Sequence, residues 1–196
     1  MGFYQHFVGE FSNALAQVIV TEAGKTIPPE AGMTRWCEIT HTLRDAGRTL
    51  YFIGNGASAS MASHMSADAC KNGQLRCSCF NEISLLTAVA NDVSYEQVFA
   101  VPLRRFGNPG DVLVSISSSG NSPNIIAGIQ AAREKGMHII TLSGMSPDNR
   151  SCAAGDLNFY IPAQSYGIVE SCHQVLLHGW LDQYMDEVET TRGRWQ

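Results

Sequence analysis

Apolar residues recur at helical spacing through the first quarter of the chain and then contract into short runs between helical stretches. Phe3, Phe7, Phe11 and Leu15 follow one another at a spacing of four, with Val18 and Ile19 three and four beyond Leu15, which predicts an amphipathic helix over residues 3–22 ended by Gly24 and the Pro28-Pro29 pair. Met33, Trp36, Ile39 and Leu43 predict a second helix from about Glu30 to Ala46, closed at Gly47. Beyond it the pattern alternates. Thr49–Ile53, Cys77–Phe80, Asp111–Ile116, His138–Leu142 and Leu157–Ile161 are short, β-prone runs. Helical stretches from about Ala59 to Cys70, Ser84 to Ala90, Asn124 to Lys135 and Ile168 to Val188 separate or follow them. Strands divided by helices of this length imply βαβ units, a parallel sheet and right-handed crossovers. Only the last few residues read as a loose tail.

Length sharpens this to one domain, because 196 residues with 44% apolar content support a single good core and leave two cramped. The expected division is a pair of N-terminal helices over 1–47 and an α/β core over 48–188. The net charge of -5, with 13 Lys plus Arg and no basic run, excludes the positive stripe that a nucleic-acid surface needs. Six cysteines, Cys37, Cys70, Cys77, Cys79, Cys152 and Cys172, contain no Cys-x-x-Cys pair and read as reduced and mostly structural. No run approaches the roughly 20 apolar residues of a membrane span, and the first residues lack a basic leader. The expected address is the cytoplasm, with no membrane partner.

Candidate chemistry lies in two polar loops that follow strands. Gly54-Asn55-Gly56-Ala57-Ser58 joins the first core strand to a helix, and Ser117-Ser118-Ser119-Gly120-Asn121-Ser122 joins another strand to a helix opening at Pro123. In an open parallel sheet such loops sit at the carboxyl ends of strands, where helix N-termini direct free N–H groups at a ligand. Ser58 alone also reads as a helix cap. Four serines in six residues exceed what capping requires, and hydroxyls with amides bind a phosphate dianion without Lys. Gly54-x-Gly56-x-x-Ala59 also fits the dinucleotide fingerprint in form. No acidic residue follows about 20 positions on, however, and the second loop has no role there, so no nucleotide cofactor is expected.

Gly54-Asn55-Gly56-Ala57-Ser58, Asn91-Asp92, Gly110-Asp111-Val112-Leu113, the Ser117–Ser122 loop and Ala131-Ala132-Arg133-Glu134-Lys135-Gly136-Met137 together resemble the phosphoheptose isomerases, which carry the sugar isomerase (SIS) domain. The resemblance runs in order over about residues 48–186. It implies a flavodoxin-like three-layer sandwich and a homo-oligomer, a tetramer with sites at subunit boundaries. It further implies interconversion of a ketose and an aldose phosphate, sedoheptulose 7-phosphate and D-glycero-D-manno-heptose 7-phosphate, through an enediolate. Substrate binding by Asn55, Gly56, Ser58, Ser117, Ser118, Ser119 and Ser122, with Asp92 near the sugar, is part of the same implication. The family's His-x-x-x-Glu helix appears as His64 to Asp68, with Asp where Glu is expected. Its closing-helix Gln appears as Glu170, with His178 retained eight residues on, and a family Asp is here Gly167. Members of the non-catalytic, replication-initiator-binding branch lose the acid and the histidine corresponding to Asp68 and His178, so their presence here favours catalysis over a binding module.

The spacing of these residues has chemical sense of its own. His64 and Asp68 stand four apart on one helix face, and Glu170 and His178 eight apart, about 80° round a helix. Isomerisation needs a carboxylate to move a carbon-bound proton and an acid to serve the two oxygens. Asp68 with Glu170 would supply the base, and His178 the acid. The set His64, Asp68, Glu170 and His178 offers nitrogen and carboxylate ligands to one divalent ion, zinc, which the resemblance allows without requiring. His6, His41, His138 and His173 are expected to be buried, satisfied histidines.

Overall fold

The structure is a computed structural model that describes residues 2–192, with side chains to Glu189. The residues read as a loose tail lie outside that range. Seven strands, β1 (Ile19–Glu22), β2 (Lys25–Ile27), β3 (Thr49–Gly54), β4 (Arg76–Cys79), β5 (Val112–Ser117), β6 (His138–Gly144) and β7 (Leu157–Ile161), form one sheet in the order β2-β1-β7-β6-β5-β3-β4. β4, β3, β5, β6 and β7 are mutually parallel, which gives the doubly wound flavodoxin-like order.

Among the described residues eight α-helices cover the sheet: α1 (Phe3–Ala16), α2 (Pro29–Asp45), α3 (Ala57–Lys71), α4 (Ile83–Asp92), α5 (Ala100–Phe106), α6 (Pro123–Glu134), α7 (Arg150–Ala154) and α8 (Tyr166–Arg192). One apolar layer packs α2, α3 and α8 on Leu50, Phe52, Val114 and Leu142. The other packs α5 and α6 on Tyr51, Ile53, Leu113 and Ile139. The split follows from strand alternation, since neighbours along β3 and β5 point to opposite faces. Trp36 of α2 stacks on Trp180 of α8 at 4.9 Å and meets Phe159 at 5.3 Å, which ties the longest helix to the sheet.

The N-terminal region corrects the reading of two successive helices. α1 stops at Ala16, and Ile19 and Val20 belong to a hairpin whose β1 pairs antiparallel with β7. Ile-Val-Thr is β-branched, which suits a strand at least as well as a helix. Ala23 and Gly24, at φ 47° and 78°, form the two-residue turn with both central residues left-handed that hairpins prefer. The sheet is therefore mixed at this edge. The short helices α5 and α7 were not distinguished from the sequence, because segments of 7 and 5 residues are too short to show a period.

Candidate active site

Strand order reverses between β3 and β5, and the crevice at such a reversal is where doubly wound sheets bind ligands. Both polar loops open there. Asn55, Gly56, Ser58, Ser117, Ser118, Ser119, Ser122 and Glu170 line a cavity of about 270 Å³, to which Tyr166 and Ile116 also contribute. Two helices of more than eight residues, α3 and α6, begin at its wall, and first-turn N–H groups have no intrahelical acceptor.

The loop backbones are set by close approach. A Cβ on Gly54 would lie 2.5 Å from the Ser58 carbonyl, so only glycine lets the strand run this tightly into α3. Gly120 sits at φ 62°, and a Cβ there would meet Asn149 Oδ1 at 2.0 Å; its carbonyl accepts from both the amide and the hydroxyl of Ser151, at 3.0 and 2.9 Å. The serine loop is thereby pinned to α7. Asn55 and Asn124 exchange amide hydrogen bonds of 2.9 and 2.8 Å, and Tyr95 donates its hydroxyl to Asn55 Oδ1 at 3.2 Å. That lock holds the first loop against the start of α6.

Several hydroxyls remain available for a ligand. Ser122 occupies the N-cap of α6 without making a side-chain cap bond. Ser118 is 6% exposed, and its buried hydroxyl has no hydrogen-bond partner among the described residues. A buried donor left unmatched costs about 1–3 kcal/mol, so an orphan in a cavity wall marks a place for an acceptor. No Lys or Arg lines this cavity, and Glu170 brings a carboxylate to it.

The second part of the site lies further down α3, where that helix meets α8. α3 packs against α8, and this brings His64, Asp68 and His178 together with ligand atoms all within 4.8 Å of one another. His64 Nε2 lies 3.3 Å from Asp68 Oδ2, and the His64 and His178 rings meet edge to face at 5.4 Å. Imidazole nitrogen and carboxylate oxygen suit zinc, whose bonds of about 2.0–2.2 Å span at most ~4.4 Å between ligand atoms, so the set fits after closing by a few tenths of an ångström.

Two residues of the expected set lie apart from this group. Glu170 falls outside this group, because eight residues of helix advance about 12 Å along the axis and place it at the serine cavity instead. Asp92 ends α4, is exposed, accepts from Asn91 at 2.8 Å and does not line the cavity. Among the other histidines, His173 is fully buried, with Nε2 3.1 Å from the Ser143 carbonyl and Nδ1 unpartnered, so burial holds it down at about 4. His6 is exposed, while His41 and His138 are half-buried beside Glu187 and Asp156. Tyr166, Asn124 and Tyr95 were missed. Tyr166 was within reach, since it opens the closing helix at the level where the loops emerge.

Comparison with known proteins bears on this arrangement. The SIS domain family matches residues 7–144. The phosphoheptose isomerase of Azoarcus sp. (strain BH72) is 35% identical over 71% of this chain and 75% of its own, and that of Chromohalobacter salexigens 30% identical over 91% and 92%. The structure of phosphoheptose isomerase from Neisseria gonorrhoeae superposes with a TM-score of 0.80 at 28% identity, covering 93% of this chain and 95% of the other.

Proposed function

The chain belongs to the phosphoheptose isomerases of the SIS domain family, and from this we infer that it interconverts sedoheptulose 7-phosphate and the corresponding aldose phosphate. The observation that carries the reading is the pairing of a serine-walled cavity, to which the starts of α3 and α8 contribute Ser58 and Glu170, with a carboxylate–imidazole cluster further along those two helices. Ser117, Ser118, Ser119 and Ser122, with Asn55, Gly56, Ser58 and the amides opening α3 and α6, hold the phosphate, which needs no lysine there. Glu170 accepts hydrogen bonds from the sugar hydroxyls beside that anchor. Asp68 takes the proton from the carbon next to the carbonyl and returns it to the adjacent carbon. His178 donates to and accepts from the two oxygens as the enediolate forms and collapses. His64, 3.3 Å from Asp68, orients that carboxylate.

Zinc held by His64, Asp68 and His178 would polarise the substrate oxygens and stabilise the charge of the enediolate. The alternative, a non-catalytic binding module of the replication-initiator-binding type, is opposed by the presence of Asp68 and His178 in one cluster. A homotetramer in the cytoplasm accords with the family, and no helix among the described residues is long and apolar enough to cross a membrane. The deciding experiment incubates the purified chain with sedoheptulose 7-phosphate and follows aldose formation together with exchange of the C1 and C2 hydrogens with solvent. Absence of both, with and without zinc, refutes the assignment.

A further inference from the structure

Three cysteines gather where α3 meets the edge strand β4, apart from the serine cavity. Cys70 is exposed near the end of α3, and Cys77 and Cys79 are half-buried on β4. Cys79 Sγ lies 3.7 Å from Ser63 Oγ, which fixes the strand beside the helix, and the Leu75 amide bonded to the Ala69 carbonyl at 3.0 Å closes the turn between them. Cys70 stands seven positions beyond Ser63, about 20° round the helix and ~10.5 Å along it. Cys77 lies about 6.6 Å from Cys79 toward the same end. The two thiols thus come to within about 4 Å of the same level. A cavity of about 530 Å³ at the sheet edge is lined by both Cys70 and Cys77, with Arg76 on its wall.

We propose that Cys70 and Cys77 form a thiol–disulfide switch acting on the end of α3, oxidised by a small disulfide of the glutathione class. Cys70, the accessible thiol, attacks one sulfur of glutathione disulfide as the thiolate. The mixed disulfide forms on Cys70, and one glutathione leaves and takes up the proton. Cys77 then gives its proton to solvent and attacks Cys70 Sγ, forming the Cys70–Cys77 bond and expelling the second glutathione. Two protein thiols lose two electrons and two protons, and one glutathione disulfide gains them as two thiols. Arg76, on the wall of the same cavity, attracts the carboxylates of the oxidant. Burial pushes the Cys77 thiol up, as do its neighbours Cys70 and Cys79, so Cys77 stays protonated until the mixed disulfide is placed beside it.

The bond reaches Asp68 through the backbone. The Asp68 carbonyl accepts from the Asn72 and Gly73 amides at 2.7 and 3.2 Å, and these bonds close the last turn that carries Cys70. Drawing Cys70 toward Cys77 strains them, and with them the residue that the proposed function places at the chemistry.

The purified full chain is treated with glutathione disulfide, digested with trypsin and mapped by mass spectrometry. Lys71 and Arg76 separate the two cysteines, so trypsin leaves them on different peptides that only a disulfide joins. The expected product is that joined pair, two hydrogens lighter than its halves, lost on treatment with dithiothreitol and absent from Cys70→Ser. A persistent glutathione adduct on Cys70, a pair joined through Cys79, or no loss of free thiols overturns the proposal. Amide exchange at Asn72 and Gly73 should quicken about tenfold or more in the joined protein and not in treated Cys70→Ser; unchanged exchange overturns it too. Neither readout uses sugar turnover, so a failure of the isomerase reading is seen separately.

Discussion

Replacing Ser118 by alanine should move stability and affinity in opposite directions. The Ser118 hydroxyl is buried without a partner in the free protein, and leaving such a group unmatched costs about 1–3 kcal/mol. Alanine removes the oxygen and opens no space larger than the atom lost. The free variant should therefore be more stable by up to that amount, a rise in Tm of roughly 2–4 °C per kcal/mol for a chain of this length. In the complex the same oxygen donates to a phosphate, a charge-assisted bond worth about 1.5–3 kcal/mol. Its loss should raise Kd roughly 10- to 150-fold, since each 1.4 kcal/mol is tenfold. Scanning calorimetry of the free protein and titration with sedoheptulose 7-phosphate measure the two effects. A variant that melts lower than the parent and binds as tightly would show that Ser118 is structural and that the orphan hydroxyl does not face the ligand. Ser119→Ala with Ser122→Ala serves as the contrast, with weakened binding and no gain in stability.

Asp68→Asn should abolish both turnover and solvent exchange of the substrate's C1 or C2 hydrogen, and His178→Ala should slow turnover more than exchange; near-parental rates in both variants would place the proton transfer elsewhere. Glu170→Gln should change KM more than kcat, since Glu170 lies with the serines and not with Asp68; a collapse of kcat alone would return it to the base. His173 is neutral in the fold, with its value held at about 4 by burial against an ordinary 6.5. The unfolded chain therefore binds the extra proton first as pH falls below about 6.5, and stability drops down to about pH 4 by up to ~3 kcal/mol. Urea unfolding at pH 7.5 and 5 should show that loss in the parent and less of it in His173→Gln; equal slopes refute the cause. Gly120→Ala places a Cβ 2.0 Å from Asn149 Oδ1 at a left-handed φ, and should cost more than 2 kcal/mol in urea unfolding along with phosphosugar affinity.

Periodicity and turn chemistry carried much of this protein in the sequence alone. The five parallel strands, the helices between them and the two loops could be placed because each is a local pattern: a short apolar run, a glycine or serine cluster, then a 3.6-residue stripe. Asn55, Gly56, Ser58 and the serines of 117–122 line one cavity for the same reason, since a loop at a strand's carboxyl end has its position set by the strand. Spacing four along α3 likewise put His64 beside Asp68. Tertiary structure decided what no local pattern holds. Ile19 satisfies a helical stripe and a strand equally, and only the open edge of β7 drew it and the residues after it into a hairpin. Glu170 and His178 share a helix side, yet 12 Å of axial rise sends one to the serines and the other to Asp68. Asp92 sits in a motif, but its direction depends on how α4 leaves the sheet. The lock of Asn124 on Asn55 and the meeting of Cys70 with Cys77 come from packing between elements, where nearness in space is set by the fold and not by distance along the chain.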